Sequence, residues 1–141
     1  MDKIIEFSLR HWQLVVAFIG LAIAIIFVET KRAGATISSA QAVQLMNRSE
    51  ALVLDLRERQ EFIEGHITHS MNIPATHVPD RLVELQGYKD KPVILVCKMG
   101  QHSGHIGKML HKAGFSQVYR LASGMSGWQA DGLPLIKDLN K

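Results

Sequence analysis

Cys97, the one cysteine of the chain, stands where a thiol could act as a nucleophile. It follows the apolar run Val93–Val96 and opens the loop 98–103, which leads into a helix-like stretch at residues 104–113. Main-chain N–H groups in such a loop, and the N-terminal end of a helix, stabilise negative charge, so the position favours a thiolate. Because the chain has no second cysteine for an internal disulfide, Cys97 is either a small buried hydrophobe or the reactive atom of the protein.

The elements that would position Cys97 alternate between short apolar runs and amphipathic stretches. Strands are predicted at residues 51–54, 67–73, 93–96 and 118–121, and helices at residues 38–46, 57–64, 79–86, 104–113 and, after Gly124, in a short final segment. Strands that alternate with helices indicate an α/β domain with a parallel sheet. Ligands of such sheets bind beyond the carboxyl ends of the strands, where Cys97 and Asp55 both stand.

The N-terminal residues have a different character. Residues 12–28 are apolar except for Gln13, and Trp12 and the pair Lys31-Arg32 flank them as interfacial anchors would. As a helix this run spans about 26 Å, slightly less than a hydrocarbon core of roughly 30 Å; Phe7 and Leu9, or local thinning, would supply the difference. We therefore predict an N-terminal tail at 1–11, a transmembrane helix at 12–28, a linker at 29–35 and a domain at 36–141.

A cleaved signal peptide is the alternative to a membrane anchor, because Ala33-Gly34-Ala35 has the small-x-small form of a cleavage site. Two acids in the first six residues, and a basic pair just before this site, are atypical of signal peptides and favour the anchor. The flanking Lys and Arg counts are nearly equal on the two sides. Arg48 and the unpaired cysteine favour a cytoplasmic domain, with the periplasmic side as the alternative.

The charge of the chain limits its partners. The formal net charge is +3, and the excess lies outside residues 1–28, which are neutral. A modest positive charge suits small anionic ligands or a membrane surface. There is no basic stripe interleaved with aromatic residues, so no nucleic-acid partner is predicted.

Three motifs occur in order along the domain. They are Asp55-Leu56-Arg57 with Glu61-Phe62, Gly65-His66-Ile67 and Asn72-Ile73-Pro74; Cys97-x-x-Gly100-x-x-Ser103-Gly104; and Gly124-Met125-x-Gly127-Trp128 with Gly132-x-Pro134. In this order and spacing they resemble the signatures of rhodanese-like domains, across about residues 36–136. The resemblance implies a rhodanese-like α/β fold, with a central parallel sheet flanked by helices, behind the one N-terminal transmembrane helix.

The resemblance also implies a sulfurtransferase. The Cys97 thiolate would take sulfur from a small anionic donor such as thiosulfate, form a persulfide, and pass the sulfur to a thiol or protein acceptor. The implied substrate-binding residues are those of the loop: Lys98, Met99, Gly100, Gln101, His102 and Ser103. Their amides would cradle the persulfide, Gly100 would permit the tight turn, and the Ser103 hydroxyl would add a donor. No cofactor is implied.

One departure from the family concerns the loop cations. Many active members carry an arginine near the end of the loop, whereas this chain has no arginine between residues 82 and 119. Lys98 and His102 are the cations available to attract an anionic donor.

Other functions remain as alternatives. A cysteine-dependent phosphatase or arsenate reductase needs an arginine six residues after the cysteine, where this chain has Ser103. A membrane-tethered carrier that only relays a persulfide would use the same cysteine. Paired histidines at 66 and 69, and at 102 and 105, lack a third ligand at fixed spacing, so no metal site is predicted.

Several polar or aromatic side chains are interpreted as structural. Asp55 is expected to cap the segment that follows it, and Arg57 to pair with Glu61 four residues later on a solvated helix face. We expect His66 to hold its turn and Trp128 to lie in the core.

Overall fold

The computed structural model describes residues 1–138, and its internal contacts divide the chain into Met1–Lys31 and Arg32–Lys141. The last three residues of the domain predicted at 36–141 therefore lie outside the described part. Helix α1 spans Asp2–Arg10 and helix α2 spans Trp12–Arg32, so all but the last residue of α2 belongs to the first unit. Helix α2 is long and apolar enough to cross a membrane, and none of its residues is buried. It continues beyond residue 28, so residues 29–32, assigned to a linker, are helical.

The second unit contains a five-stranded sheet with helices around it. The elements in chain order are β1 Ala35–Ile37, α3 Ser39–Arg48, β2 Leu52–Asp55, α4 Arg59–Glu64, β3 Met71–Asn72, 3₁₀ segments at Ala75–His77 and Pro79–Tyr88, β4 Val93–Val96, α5 Ser103–Lys112, β5 Val118–Leu121 and α6 Gly124–Ala130. The strand order is β1-β5-β4-β2-β3, and every neighbouring pair is parallel. The predicted α/β fold with a central parallel sheet is confirmed.

The central strand β4 and its neighbour β2 are buried at every position. Leu54 and Leu95 pack into an apolar cluster on one face of the sheet, while Val53 and Ile94 pack into a second cluster on the other face. Continuous apolar runs are expected where a parallel sheet is covered on both faces. The central strands are thus held rigidly, and their carboxyl ends have fixed positions.

Besides the start of α4, which lies at Arg59 and not at 57, the structure differs from the predicted elements in three places. The stretch predicted as a helix at 79–86 is a 3₁₀ segment, Pro79–Tyr88, and the strand predicted within 67–73 is only Met71–Asn72. The strand Ala35–Ile37 overlaps the last residue of the predicted linker. It is three residues long and forms because β5 offers it a parallel partner, so its own sequence contains little signal.

Local capping behaves as predicted at the start of α3. The Gln41 amide donates to the Ser38 hydroxyl, and the Ser38 amide donates to the Gln41 side chain at 2.9 Å. This capping box satisfies two of the free N–H groups at the helix start. The register of the sheet pairs Asp55 with Val96, so Asp55 and Cys97 lie at the same edge.

Candidate active site

Cys97 lies immediately beyond the carboxyl end of β4 and is only 3% exposed. Its Sγ accepts a hydrogen bond from the main-chain N–H of Gly100 at 2.8 Å. The loop therefore turns back on itself so that an amide points at the sulfur. The sulfur is therefore held between the apolar core that Cys97 joins and a main-chain donor of its own loop.

The turn depends on Gly100, whose φ is +87°. L-residues with a side chain rarely adopt this left-handed conformation, whereas glycine adopts it without steric cost. The amides of Met99, Gln101 and His102 have no hydrogen-bond partner within residues 1–138, so they are available to a ligand. The Gly100 amide is thus bound to the sulfur, while the Met99, Gln101 and His102 amides around it are among the loop amides without a partner in the described residues.

The base of the loop is fixed by the start of α6. The Met125 amide donates to the Cys97 carbonyl at 2.8 Å, and the amide and hydroxyl of Ser126 each donate to the Lys98 carbonyl at 3.1 Å. Gly124, with φ +52°, lies so close to the Cys97 carbonyl that a Cβ at this position would overlap it. The closing motif therefore shapes the cysteine loop, a contact that spacing along the chain did not reveal.

Ser103 is 1% exposed, and its Oγ donates to the carbonyl of Gly100 at 3.2 Å. The loop sequence predicts that this hydroxyl donates to the persulfide. The structure instead directs the hydroxyl proton to the loop backbone, where it ties the end of the loop to the turn at Gly100. Ser103 thus connects the first turn of α5 to the residue that contacts the sulfur.

The remaining loop side chains lie on the surface. Met99 is 60% exposed, and Gln101 and His102 are also exposed. Lys98 is largely exposed, and its Nζ lies 3.6 Å from Oε1 of Glu61 on α4. Lys98, one of the two cations predicted to attract an anionic donor, therefore already has an anionic neighbour.

A groove of about 500 Å³ opens beside the loop, between α4 and α6. Its lining includes Glu61, Lys98, Ser126 and Lys137. The groove shares Lys98 with the cysteine loop and carries charges of both signs. It offers space for a polar molecule next to the loop.

Asp55 and Arg57 form a buried ion pair at the same edge of the sheet. The guanidinium donates from Nε to Oδ1 at 3.0 Å and from Nη2 to Oδ2 at 2.7 Å, with the side chains 8% and 1% exposed for Arg57 and Asp55. Nη2 also donates to the carbonyl of Gly65 at 2.7 Å. The predicted Arg57–Glu61 pair is wrong because α4 begins only at Arg59, which leaves Arg57 outside the helical spacing. Asp55 also accepts from the Arg57 amide at 3.0 Å. The N-cap of α4 is Glu58, so Asp55 closes the turn before the helix and does not cap the helix as predicted.

Two aromatic side chains have the structural roles inferred for them. His66 is buried, stacks on Phe62 at 3.9 Å between ring centroids, and its Nδ1 lies 2.8 Å from the Phe62 carbonyl. Trp128 is buried, and its indole N–H donates to the carbonyl of Pro134. Across residues 1–138, His, Cys, Asp and Glu side chains form no group of three that could hold a metal ion.

The structure is an α/β domain with a five-stranded parallel sheet. The loop that joins its central strand β4 to helix α5 begins with Cys97. The model of the family described as rhodanese-like domain matches residues 38–131. The chain belongs to this family. This confirms the resemblance found in the three motifs.

Related proteins match this chain in sequence. The chain is 37% identical to the uncharacterized protein YibN of Escherichia coli (strain K12), over 97% of this chain and 99% of that protein. It is 29% identical to the thiosulfate sulfurtransferase GlpE of Pseudoalteromonas translucida, over 67% of this chain and 88% of that protein. The first match therefore includes most of the N-terminal helices as well as the domain.

A solved structure agrees with the fold. The rhodanese-related protein of Thermoplasma volcanium superposes with a TM-score of 0.65 at 26% identity, covering 72% of this chain and 97% of that one. The distant relatives include proteins described as sulfurtransferases, such as one from Allochromatium vinosum at 27% identity.

Proposed function

We propose that the protein is a membrane-anchored sulfurtransferase whose Cys97 carries sulfur as a persulfide. The observation that carries the proposal is the 2.8 Å hydrogen bond from the Gly100 amide to the Cys97 Sγ. That bond would stabilise the thiolate before transfer and keep the amide close to the persulfide after it. Family membership and the distant relative described as a thiosulfate sulfurtransferase support the same chemistry.

The proposed reaction has two balanced steps. The Cys97 thiolate attacks the outer sulfur of thiosulfate; an S–S bond forms to Cys97, the S–S bond of the donor breaks, and sulfite leaves with the bonding electron pair. A nucleophilic acceptor, a thiolate or cyanide, then attacks the outer sulfur of the persulfide. The Cys97–sulfur bond breaks, its electron pair returns to Cys97, and the thiolate is regenerated without any external oxidant or reductant.

The loop amides would bind the negative charge at each step. A persulfide extends outward from Cys97, and the Met99, Gln101 and His102 amides have no internal partner that would compete for it. Lys98 and His102 supply positive potential at the entrance for an anionic donor. The groove shared with Lys98 is a suitable place for the thiol or protein acceptor.

A persulfide carrier is the second candidate function, and two observations favour it. Cys97 is only 3% exposed, and Lys98 is paired with Glu61 rather than free to bind an anion. Both features would slow turnover with a small free donor and suit loading by a protein that remodels the entrance. A phosphatase is disfavoured because position 103, where its arginine would stand, holds a buried serine bonded to the Gly100 carbonyl.

The proposed location is a membrane, with α2 as a single-pass anchor and the domain on the cytoplasmic side. Packing near the potential cleavage site supports an anchor that is retained. Ala33 is buried, and its carbonyl lies against Gly107 of α5 so closely that a side chain at 107 would overlap it. The Gly34 carbonyl accepts from the Arg120 side chain at 3.1 Å. Cleavage after Ala35 would remove these contacts and leave part of α5 uncovered.

Intact mass of the full-length protein in detergent, before and after thiosulfate, tests the proposal. We expect one added sulfur atom in the wild type, its removal by cyanide, and no addition in Cys97→Ser. The two side chains have similar volumes, so circular dichroism of the variant should match the wild type. Sulfur loading in folded Cys97→Ser would overturn the assignment. Loading without multiple turnover, in the presence of excess cyanide, would select the carrier over the enzyme.

A further inference from the structure

Helix α1, Asp2–Arg10, separates its charged and apolar side chains onto two faces. At 100° per residue, one face carries all the charged side chains of the helix and the other carries most of its apolar ones. The charged face holds Asp2, Lys3, Glu6 and Arg10. The apolar face holds Met1, which caps the helix, and Ile4, Ile5 and Leu9, each more than half exposed.

The apolar face has no partner in its own unit. No residue of α1 or α2 is buried. An exposed apolar stripe on a short helix would be unstable in water, since helices of this length depend on packing of their apolar face. The apolar face of α1 therefore needs a partner from outside residues 1–31.

The connection to α2 limits what that partner is. Residue His11 has φ −122° and ψ 38°, which is not helical, and α2 begins directly after it at Trp12. Helix α2 is the candidate membrane span, and Trp12 is an aromatic residue of the kind found at the interface. Because only His11 separates α1 from the candidate span, α1 must lie close to the headgroups where that span ends.

The charged side chains of α1 limit how deeply the helix can lie in a membrane. The sequence pattern allowed Phe7 and Leu9 to extend the membrane span, but the helix that holds them also holds four charged side chains. Charged side chains are costly in hydrocarbon, and large exposed apolar ones are costly in water. A helix with both is best placed along the interface, with its apolar face in the acyl boundary.

We propose that α1 is an interfacial helix that lies along the phospholipid surface and inserts Ile4, Ile5 and Leu9. This inference rests on the proposed membrane location of α2. The side chains of α1 carry two positive and two negative charges, so binding should come from apolar insertion and not from anionic lipid. The partner is the bilayer itself, through its headgroup and upper acyl region.

Site-directed spin labelling of the full-length chain tests this directly. The chain has one cysteine, so Cys97→Ser provides a background in which single cysteines are placed at 5, 6, 9 and 10. Position 19, in the middle of α2, serves as the control for the span. The protein is reconstituted in phosphatidylcholine vesicles, with and without phosphatidylglycerol, and accessibility to oxygen and to a soluble nickel chelate is measured.

We expect the ratio of oxygen to nickel accessibility to be several-fold higher for Ile5→Cys and Leu9→Cys than for Glu6→Cys and Arg10→Cys. The pattern should be the same in both vesicle types. Equal access to nickel at all four positions, with Ile19→Cys protected, would overturn the interfacial helix while leaving the anchor intact. Equal protection at all four would mean that α1 extends the span. Protection that disappears on dilution of the protein in the vesicles would assign the face to a second copy.

Failure of the location is distinguishable from failure of this inference. If Ile19→Cys is open to the nickel chelate, the proposed membrane span is wrong, and α1 loses its reason to lie at the surface. Sulfur loading is measured on the wild type and does not enter the labelling experiment. Sulfur transfer, the membrane span and the interfacial helix are therefore each tested by a separate readout, although the interfacial helix depends on the span.

Discussion

The Cα of Gly124 packs against the main-chain carbonyl of Cys97, which leaves no room for a methyl group at position 124. Gly124 is the first residue of α6, and the next residue donates its amide to the same carbonyl. The start of α6 and the cysteine loop therefore hold each other in position. The geometry at the sulfur depends on this contact, and several predictions about the site depend on it in turn.

Gly124→Ala should disrupt the cysteine loop and abolish or strongly reduce sulfur loading, because the new Cβ would displace the Cys97 carbonyl. The matched control is Gly132→Ala, which has φ +71° but no atom within 4 Å of the added Cβ. Its cost is limited to the left-handed backbone, about 1–2 kcal/mol. Urea unfolding and intact mass after thiosulfate would measure both variants. Full loading by Gly124→Ala would show that the contact does not shape the site.

Glu61→Gln should increase the apparent affinity for thiosulfate, because it removes the carboxylate 3.6 Å from Lys98 Nζ. Exposed ion pairs are worth about 0.2–1 kcal/mol, which corresponds to a change of at most about fivefold in half-saturating donor concentration. Glu64→Gln, in the same groove but not paired with Lys98, is the control. The effect should disappear in a Lys98→Gln background; if it persists there, Glu61 acts by another route.

Ser103→Ala should slow sulfur loading and lower stability by about 1 kcal/mol, since it removes a buried hydrogen bond to the Gly100 carbonyl. Loading should continue, because the loop amides remain. His102→Ala should slow loading at low thiosulfate only and leave stability unchanged, as its side chain is exposed. Stopped-flow loading rates against donor concentration would separate the two. Identical effects of both substitutions would refute the distinction.

Asp55→Asn should destabilise the fold by about 3 kcal/mol, because it leaves the buried Arg57 guanidinium without its counter-ion. The control is Glu84→Gln, which breaks the exposed Arg81–Glu84 pair and should change stability little. Urea unfolding midpoints would compare them. Equal effects would mean that burial does not decide the strength of the pair.

The exposed pair also predicts a small dependence of stability on pH. Hydrogen bonds from Arg81 lower the pKa of Glu84 below its ordinary value of 4.5. The folded state therefore binds that proton less tightly than the unfolded state, and the contribution is present above pH 4.5 and lost as the pH falls through the lowered pKa. Glu84→Gln should remove this part of the acid sensitivity, which unfolding curves measured between neutral and acid pH would detect.

Much of the fold followed from local patterns in the sequence. The strands Val93–Val96 and Val118–Leu121 have the predicted bounds. The first is a run of branched apolar residues between polar turns, which is a strong strand signal, and the second, Val-Tyr-Arg-Leu, follows the glycine that ends α5. The capping box at Ser38 was equally local. The strand Ala35–Ile37 was not predicted, since three residues contain too little pattern and the strand forms through pairing with β5.

The sequence by itself determined which atom is the candidate for chemistry, because a lone cysteine between a buried strand, a glycine-containing loop and a helix is defined by neighbouring residues. The tertiary structure decided what surrounds that atom. Arg57 pairs with Asp55 rather than with Glu61, Lys98 meets Glu61 on another element, and Gly124 packs on Cys97. The physical reason is that contacts between elements depend on how the helices pack against the sheet, and helical spacing within one segment contains no information about that packing.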